Sequence, residues 1–206
     1  WYGEKNELEA TFAEFKQNIH NILSDLTSNM KARGGGITKI ELLDMTDNLD
    51  YYYILELSFE TIDSMGANFI NSVLEKSAAE LKKCSNEKHP GKLEVLMAIL
   101  SNYTPESFVE MKVECPVKEL KELSGSLTGY QFAEKFEKAT LIAKHSISRA
   151  VTHNKGIMNG VDAVVLATGN DFRAIEAGVH AYSSKAGKPT SLTDCRVNNE
   201  IFSFQI

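Results

Sequence analysis

No stretch of this chain is apolar for the roughly eighteen residues that crossing a bilayer takes, and its beginning, Trp-Tyr-Gly-Glu-Lys, lacks the basic-then-apolar layout of a signal peptide. A cytosolic, non-membrane protein is expected. Cysteine is scarce, and Cys84, Cys115 and Cys195 are odd in number, widely spaced and in no Cys-x-x-Cys or Cys/His grouping. That excludes a disulfide framework and points away from a metal site. Basic residues are outnumbered, 22 against 28 acidic, for a net charge of −6, which disfavours nucleic acid or an anionic membrane as partner. No Gly-x-Gly-x-x-Gly follows a strand-like run, so a Rossmann-type oxidoreductase is disfavoured too. Internal repeats and low-complexity segments are missing as well. What remains is a chain of 206 residues, 43% hydrophobic, able to bury a core as one unit or as a domain and a half.

Apolar residues at Leu8, Phe12, Phe15, Ile19, Ile22 and Leu23 recur at spacings of three and four, predicting one amphipathic helix over 4–32 that Arg33-Gly34-Gly35-Gly36 ends. Residues 37–45 and 51–59 flank Asp47-Asn48-Leu49-Asp50 and read as a β-hairpin. Helical spacing returns over 64–83, and strand-like runs follow at 92–100 and 108–116. The order β-β-α-β-β predicts an α+β module with a four-stranded sheet under one helix, not a doubly wound sheet. After Pro116 helices are expected at 117–124, 128–146, 155–168 and 171–185, then short strands at 190–197 and 200–206. The expected organisation is a helical part over 1–34, a small domain over 35–117 and helices with terminal strands over 118–206. A strand as the last element suggests a piece of a longer protein.

The densest chemistry lies in His153-Asn154-Lys155-Gly156-Ile157-Met158-Asn159-Gly160 and in Ala167-Thr168-Gly169-Asn170-Asp171-Phe172-Arg173-Ala174. Lys155 and Asn159, four apart, share a helix face. Asp171 would lie about 160° around that helix, so it can join Lys155 only if the chain turns between them, at Thr168-Gly169-Asn170. Asp171 is equally suited to cap the helix that follows. Asp63-Ser64-Met65-Gly66-Ala67-Asn68 reads as a helix start where Asp63 can cap and Gly66 lets a ligand approach free N–H groups. His20, His89, His145 and His180 have no ligand-like spacing and are expected to be structural or exposed.

These segments, with Arg33-Gly34-Gly35-Gly36 and Ile99-Leu100-Ser101-Asn102 in the same order, closely resemble class II 3-hydroxy-3-methylglutaryl-CoA reductases over nearly the whole chain. The family's Asp-Ala-Met-Gly-x-Asn carries Ser64 here in place of alanine. The resemblance implies reduction of hydroxymethylglutaryl-CoA to mevalonate and CoA by NADH or NADPH, in a homodimer, with a ferredoxin-like small domain inserted into a mainly helical larger one. It implies Lys155 as the cation facing the thioester oxygen, with Asp171 and Asn159 beside it as catalytic partners. Asp63, Met65, Gly66, Asn68 and Asn102 are implied for the cofactor, and Arg149 for the substrate carboxylate. Cys115-Pro116-Val117-Lys118 resembles the lysine site of the family's other branch, which makes Lys118 a competitor. The family's catalytic glutamate and histidine belong before and after these segments, so little turnover is expected of this piece alone. The alternative is a non-catalytic domain that binds nucleotide or CoA or serves assembly.

Overall fold

The computed structural model describes all residues from Trp1 to Ile206, mixing α and β structure in two compact units, Trp1–Leu100 and Ser101–Ile206.

In the first unit, helix α1 (Lys5–Ile22) turns Leu8, Thr11, Phe15 and Ile19 inward, the stripe that its three-and-four spacing predicts. The expected single helix over 4–32 is broken at Leu23, beyond which α2 (Ser24–Ala32) begins. The break keeps Leu23 fully buried, and the Ser24 hydroxyl supports the bend by donating to the Asn21 carbonyl at 2.9 Å. Strands β1 (Gly36–Asp44) and β2 (Tyr53–Glu60) pair antiparallel, Ile40 opposite Leu57, as the hairpin reading expected. Gly35 is needed at the hairpin's open end, because a Cβ there would lie 2.4 Å from the Glu60 carbonyl oxygen. Helix α3 (Ala67–Lys88) covers the hairpin and α1, closing a core of Phe15, Ile19, Leu23, Ile40, Val73 and Leu81. Lys76 of α3 pairs with Asp25 of α2 at 2.8 Å.

The predicted four-stranded sheet is present here as two strands. Residues 92–100 form no strand, and Leu96, Met97 and Ile99 are exposed. A nearly continuous apolar run suits a strand covered on both faces, and here only its start is held, by Leu93 against the core and by the Lys92 carbonyl accepting from the Tyr2 N–H at 2.9 Å. Of the expected strand at 108–116, only β3 (Lys112–Pro116) forms, and it pairs with the end of the chain instead.

In the second unit, β3 joins β4 (Asp194–Asn198) and β5 (Ile201–Gln205) in an antiparallel sheet of order β3-β5-β4. A short 3₁₀ helix (Val117–Glu122) leads into α4 (Gly129–His145). Thr128 caps α4 reciprocally: its hydroxyl accepts from the Gln131 N–H at 3.2 Å, and the Gln131 side chain accepts from its own N–H at 3.0 Å. Phe136 of α4 meets Phe202 and Phe204 edge-on at 5.4 Å over a core of Val117, Leu120, Ala133, Cys195 and Phe202. Helix α5 (Ile147–Ala167) starts earlier than the expected 155, at a cap by Ser146, and α6 (Phe172–Ser183) follows a turn at Thr168–Asp171. No helix is long and apolar enough to cross a membrane.

Candidate functional site

Helix α5 is held from behind. Asn154 is buried, donates its amide to the Thr190 carbonyl at 2.9 Å and accepts the Leu192 N–H at 3.0 Å. Beside it the His153 ring shares a 2.7 Å hydrogen bond with the Thr193 hydroxyl. Burial, aided by the nearby Arg149 charge, pulls the His153 pKa below the usual imidazole value, so the ring stays neutral at physiological pH. One face of α5 is thereby fixed to the segment that leads into β4.

The opposite face opens onto a cavity of about 640 Å³. Lys155, Met158, Asn159 and Asp162 line it from α5, and Glu176 and His180 from α6. Counting outward from the Thr168–Asp171 turn, Asp162 is level with Glu176 and Asn159 with His180. The Lys155 side chain is exposed to the cavity and makes no ion pair or hydrogen bond; the Asn159 amide is likewise unengaged. A free ammonium with a neutral donor one turn along can stabilise negative charge on a ligand oxygen without first breaking a bond within the protein. A space of comparable size, about 670 Å³, lies over the polar face of the β3-β5-β4 sheet and contains neither residue. It offers rows of solvated side chains rather than a converging set.

Asp171 does not join Lys155 in the cavity. Its carboxylate caps α6, accepting from the N–H groups of Arg173 at 3.0 Å and Ala174 at 3.4 Å, with the Arg173 guanidinium also at 3.4 Å. Desolvation pushes its pKa up but is outweighed by the Ala174 and Arg173 N–H groups and the guanidinium, which hold it below the ordinary carboxylate value. Of the two roles its position in the sequence allows, the cap is the one formed. Arg149 sits in the first turn of α5, exposed and outside the cavity lining. Lys118 is exposed on the 3₁₀ helix and also outside. The Asn102 carbonyl lies against α6, where a Cβ on Gly178 would meet it at 2.9 Å. Sequence reasoning missed Asp162, Glu176 and His180. The signal was their spacing: 176 and 180 repeat one turn apart on a helix that a short turn folds against α5.

In the first unit, α3 starts at Ala67 rather than at the expected 64, and Gly66, at φ +68°, occupies the capping position. Asp63 therefore does not cap it. Its carboxylate faces outward, 3.9 Å from Arg33. No side chain covers the free N–H groups of the first turn, and Met65 and Asn68 are exposed beside them. At Gly66 a side chain is excluded twice, by the left-handed backbone and by the Thr61 methyl, 3.0 Å from where a Cβ would stand. The result is an open, positively polarised helix end that suits a phosphate group.

The hydroxymethylglutaryl-coenzyme A reductase family model matches residues 2–206. A probable 3-hydroxy-3-methylglutaryl-coenzyme A reductase of Borreliella burgdorferi is 34% identical over 186 residues, covering 89% of this chain and 40% of that protein. The 3-hydroxy-3-methylglutaryl-coenzyme A reductase of Archaeoglobus fulgidus is 35% identical over 154 residues, 75% of this chain and 32% of its own length. Among solved structures, the Streptococcus pneumoniae reductase superposes with a TM-score of 0.80 at 30% identity, over all of this chain and 54% of that one. The class II enzyme of the same organism, bound to NADPH in open conformations, gives 0.79 at 30% identity, again over the whole of this chain and 54% of that one. The chain thus spans under half the length of these curated relatives and about half of these solved chains. With a cavity around an unpaired lysine, an uncapped helix end and a family match from residue 2 to the last, this chain belongs to the hydroxymethylglutaryl-coenzyme A reductase family.

Proposed function

We propose that this chain is the central part of an enzyme that reduces 3-hydroxy-3-methylglutaryl-CoA to mevalonate and CoA with NADH or NADPH. The carrying observation is the unpaired Lys155 ammonium beside Asn159 in the α5–α6 cavity. As hydride reaches the thioester carbonyl carbon, negative charge gathers on its oxygen. An ammonium bonds to that oxygen more strongly the more charge it carries, which lowers the barrier rather than merely tightening binding. Asn159 adds a neutral N–H and leaves the charge balance untouched. Asp171 is proposed to act on Lys155 in the assembled, liganded enzyme, and its place at the head of α6, the cavity's second wall, supports this. Arg149 is proposed to meet the substrate carboxylate, which a planar guanidinium can grip in two places.

The dinucleotide would supply the hydride for each of two successive reductions, thioester to aldehyde level and aldehyde to alcohol, with CoA leaving between them. Asp63, Met65, Gly66 and Asn68 would hold the dinucleotide, the first-turn N–H groups of α3 taking its pyrophosphate where Gly66 leaves the backbone open. Asn102 is proposed to serve the same ligand. The assignment of 35–117 to a ferredoxin-like, cofactor-binding insert is likewise a proposal, supported by the β1-β2-α3 order. A homodimer is proposed as well, supported by the exposed Val164, Leu166, Phe172 and Ile175 on α5 and α6, and a cytosolic location is proposed with it from the family resemblance.

The test follows NADH and NADPH oxidation with hydroxymethylglutaryl-CoA in the full-length protein. Lys155→Ala should lower kcat at least about a hundredfold while moving KM much less. Retention of most activity would overturn the assignment and pass the role to another lysine, Lys118 first. A parent protein that binds CoA without any turnover would favour the non-catalytic alternative.

A further inference from the structure

We propose that Asp162 binds the substrate, accepting a hydrogen bond from the first amide N–H on the thiol arm of an acyl-CoA thioester held in the α5–α6 cavity. The inference rests on the reading of Lys155 as the group that meets the thioester oxygen.

One carboxylate oxygen of Asp162 is withdrawn from solvent and has no hydrogen-bond partner, although the residue lines the cavity. A carboxylate in that state is destabilising unless a donor reaches it. No side chain supplies one in this structure, although His180 and Lys155 line the same cavity. On α5 its neighbours one turn away are Met158, Val165 and Leu166, which cannot donate from their side chains, and Asn159, whose amide makes no bond to it. Across the cavity the residue level with it is Glu176, of the same sign. A ligand in the cavity can supply the donor once the carboxylate turns that oxygen toward it.

Position decides which donor. Asp162 is seven residues beyond Lys155, about 10 Å along the helix axis. Both side chains lean toward the helix N-terminus, and the flexible lysine stem can bring its ammonium back toward Asp162. A single ligand that meets both must present an electron-rich oxygen at one end and a donor removed from it at the other. The hydroxyl of the hydroxymethylglutaryl group lies too near the reacting carbonyl to serve both. The first amide of the CoA arm follows the sulfur and two methylene groups, and it lies on the opposite side of the carbonyl from the acyl chain. Charge sorts the two ends in the same sense. The acyl chain ends in a carboxylate, which the Asp162–Glu176 end repels, whereas an amide N–H is attracted there. The cavity thus orients the thioester, with its thiol arm running toward the C-terminal half of α5.

The experiment compares two hydroxymethylglutaryl thioesters in the full-length enzyme: the N-acetylcysteamine thioester, which keeps the amide N–H, and an alkyl thioester of equal length, which lacks it. Asp162→Ala should lower kcat/KM for the first by about ten- to a hundredfold and leave the second unchanged, as loss of a hydrogen bond to a charged acceptor does. The isosteric Asp162→Asn, which keeps a neutral acceptor, should show the same selectivity at about threefold. Equal losses on both thioesters, or no loss on either, overturn the proposal. Calorimetric binding of CoA itself, weaker in Asp162→Ala than in the parent, gives a readout that does not depend on turnover. Failure of the underlying reading looks different: Lys155→Ala would then keep its activity on both thioesters.

Discussion

Replacing Asn154 with alanine should cost the fold more than any other single polar change on α5, and the structure sets the size. The side chain is 2% exposed and makes two hydrogen bonds, one donated to the Thr190 carbonyl and one accepted from the Leu192 N–H. Truncation leaves both backbone groups without their partner. Each orphaned buried group costs about 1–3 kcal/mol, and the vacated volume adds to that, so a total near 3–4 kcal/mol is expected. Asn154→Asp should be worse than its small change in shape suggests, because it sets a carboxylate oxygen against the Thr190 carbonyl. The assay is denaturant unfolding of the full-length protein followed by intrinsic fluorescence, with the slope checked for constancy. A loss under about 1 kcal/mol would refute the idea that this clamp holds α5 in place, since that is no more than one solvent-exposed bond is worth.

Gly35→Ala should destabilise the first unit by about 2 kcal/mol or more, measured by thermal unfolding, because its Cβ would meet the Glu60 backbone oxygen at 2.4 Å and neither strand can move without breaking the pairing of β1 with β2. Hydrogen bonds from Lys5, and then from Thr46, lower the Asp44 pKa to about 2. A depressed folded-state pKa adds stability above the unfolded value that is lost as pH falls toward the folded one, so the contribution should fade between about pH 4 and 2. Asp44→Asn should flatten that part of the acid-unfolding curve. Burial, and then Glu137, raise the Cys195 thiol to about 11, so a thiol reagent at neutral pH should label it only once the β3-β5-β4 sheet opens.

Local signals were readable wherever a residue's neighbours in sequence are also its neighbours in space. The hairpin of β1 and β2 follows from β-branched, leucine and aromatic runs flanking Asp47-Asn48-Leu49-Asp50, and α4 from the helical composition of 128–146. The break at Leu23 was not legible, because the three-and-four spacing runs straight through it; only packing against α3 and β1 decides that the axis bends there. The partner of β3 was illegible for a similar reason. A strand of five residues carries no mark saying whether it pairs with a hairpin close by or with β5 at the far end of the chain. At the site, Lys155 and Asn159 could be put on one face from spacing alone. Asp171 carried two compatible readings, cap and ion-pair partner, and local backbone N–H groups won its carboxylate. Glu176 went unnoticed and His180 was read as structural or exposed, because both look like any turn of helix until α6 is folded against α5.

The bare stretch between α3 and β3 has a practical consequence. It crosses the boundary at Leu100, offers Leu96, Met97, Ile99, Phe108 and Val109 to solvent and, beyond Leu93, adds no residue to either packed centre. A protease cutting there would sever neither centre, so nicking of the polypeptide and loss of its folded halves are separate events, and a gel showing cleavage would say nothing about denaturation.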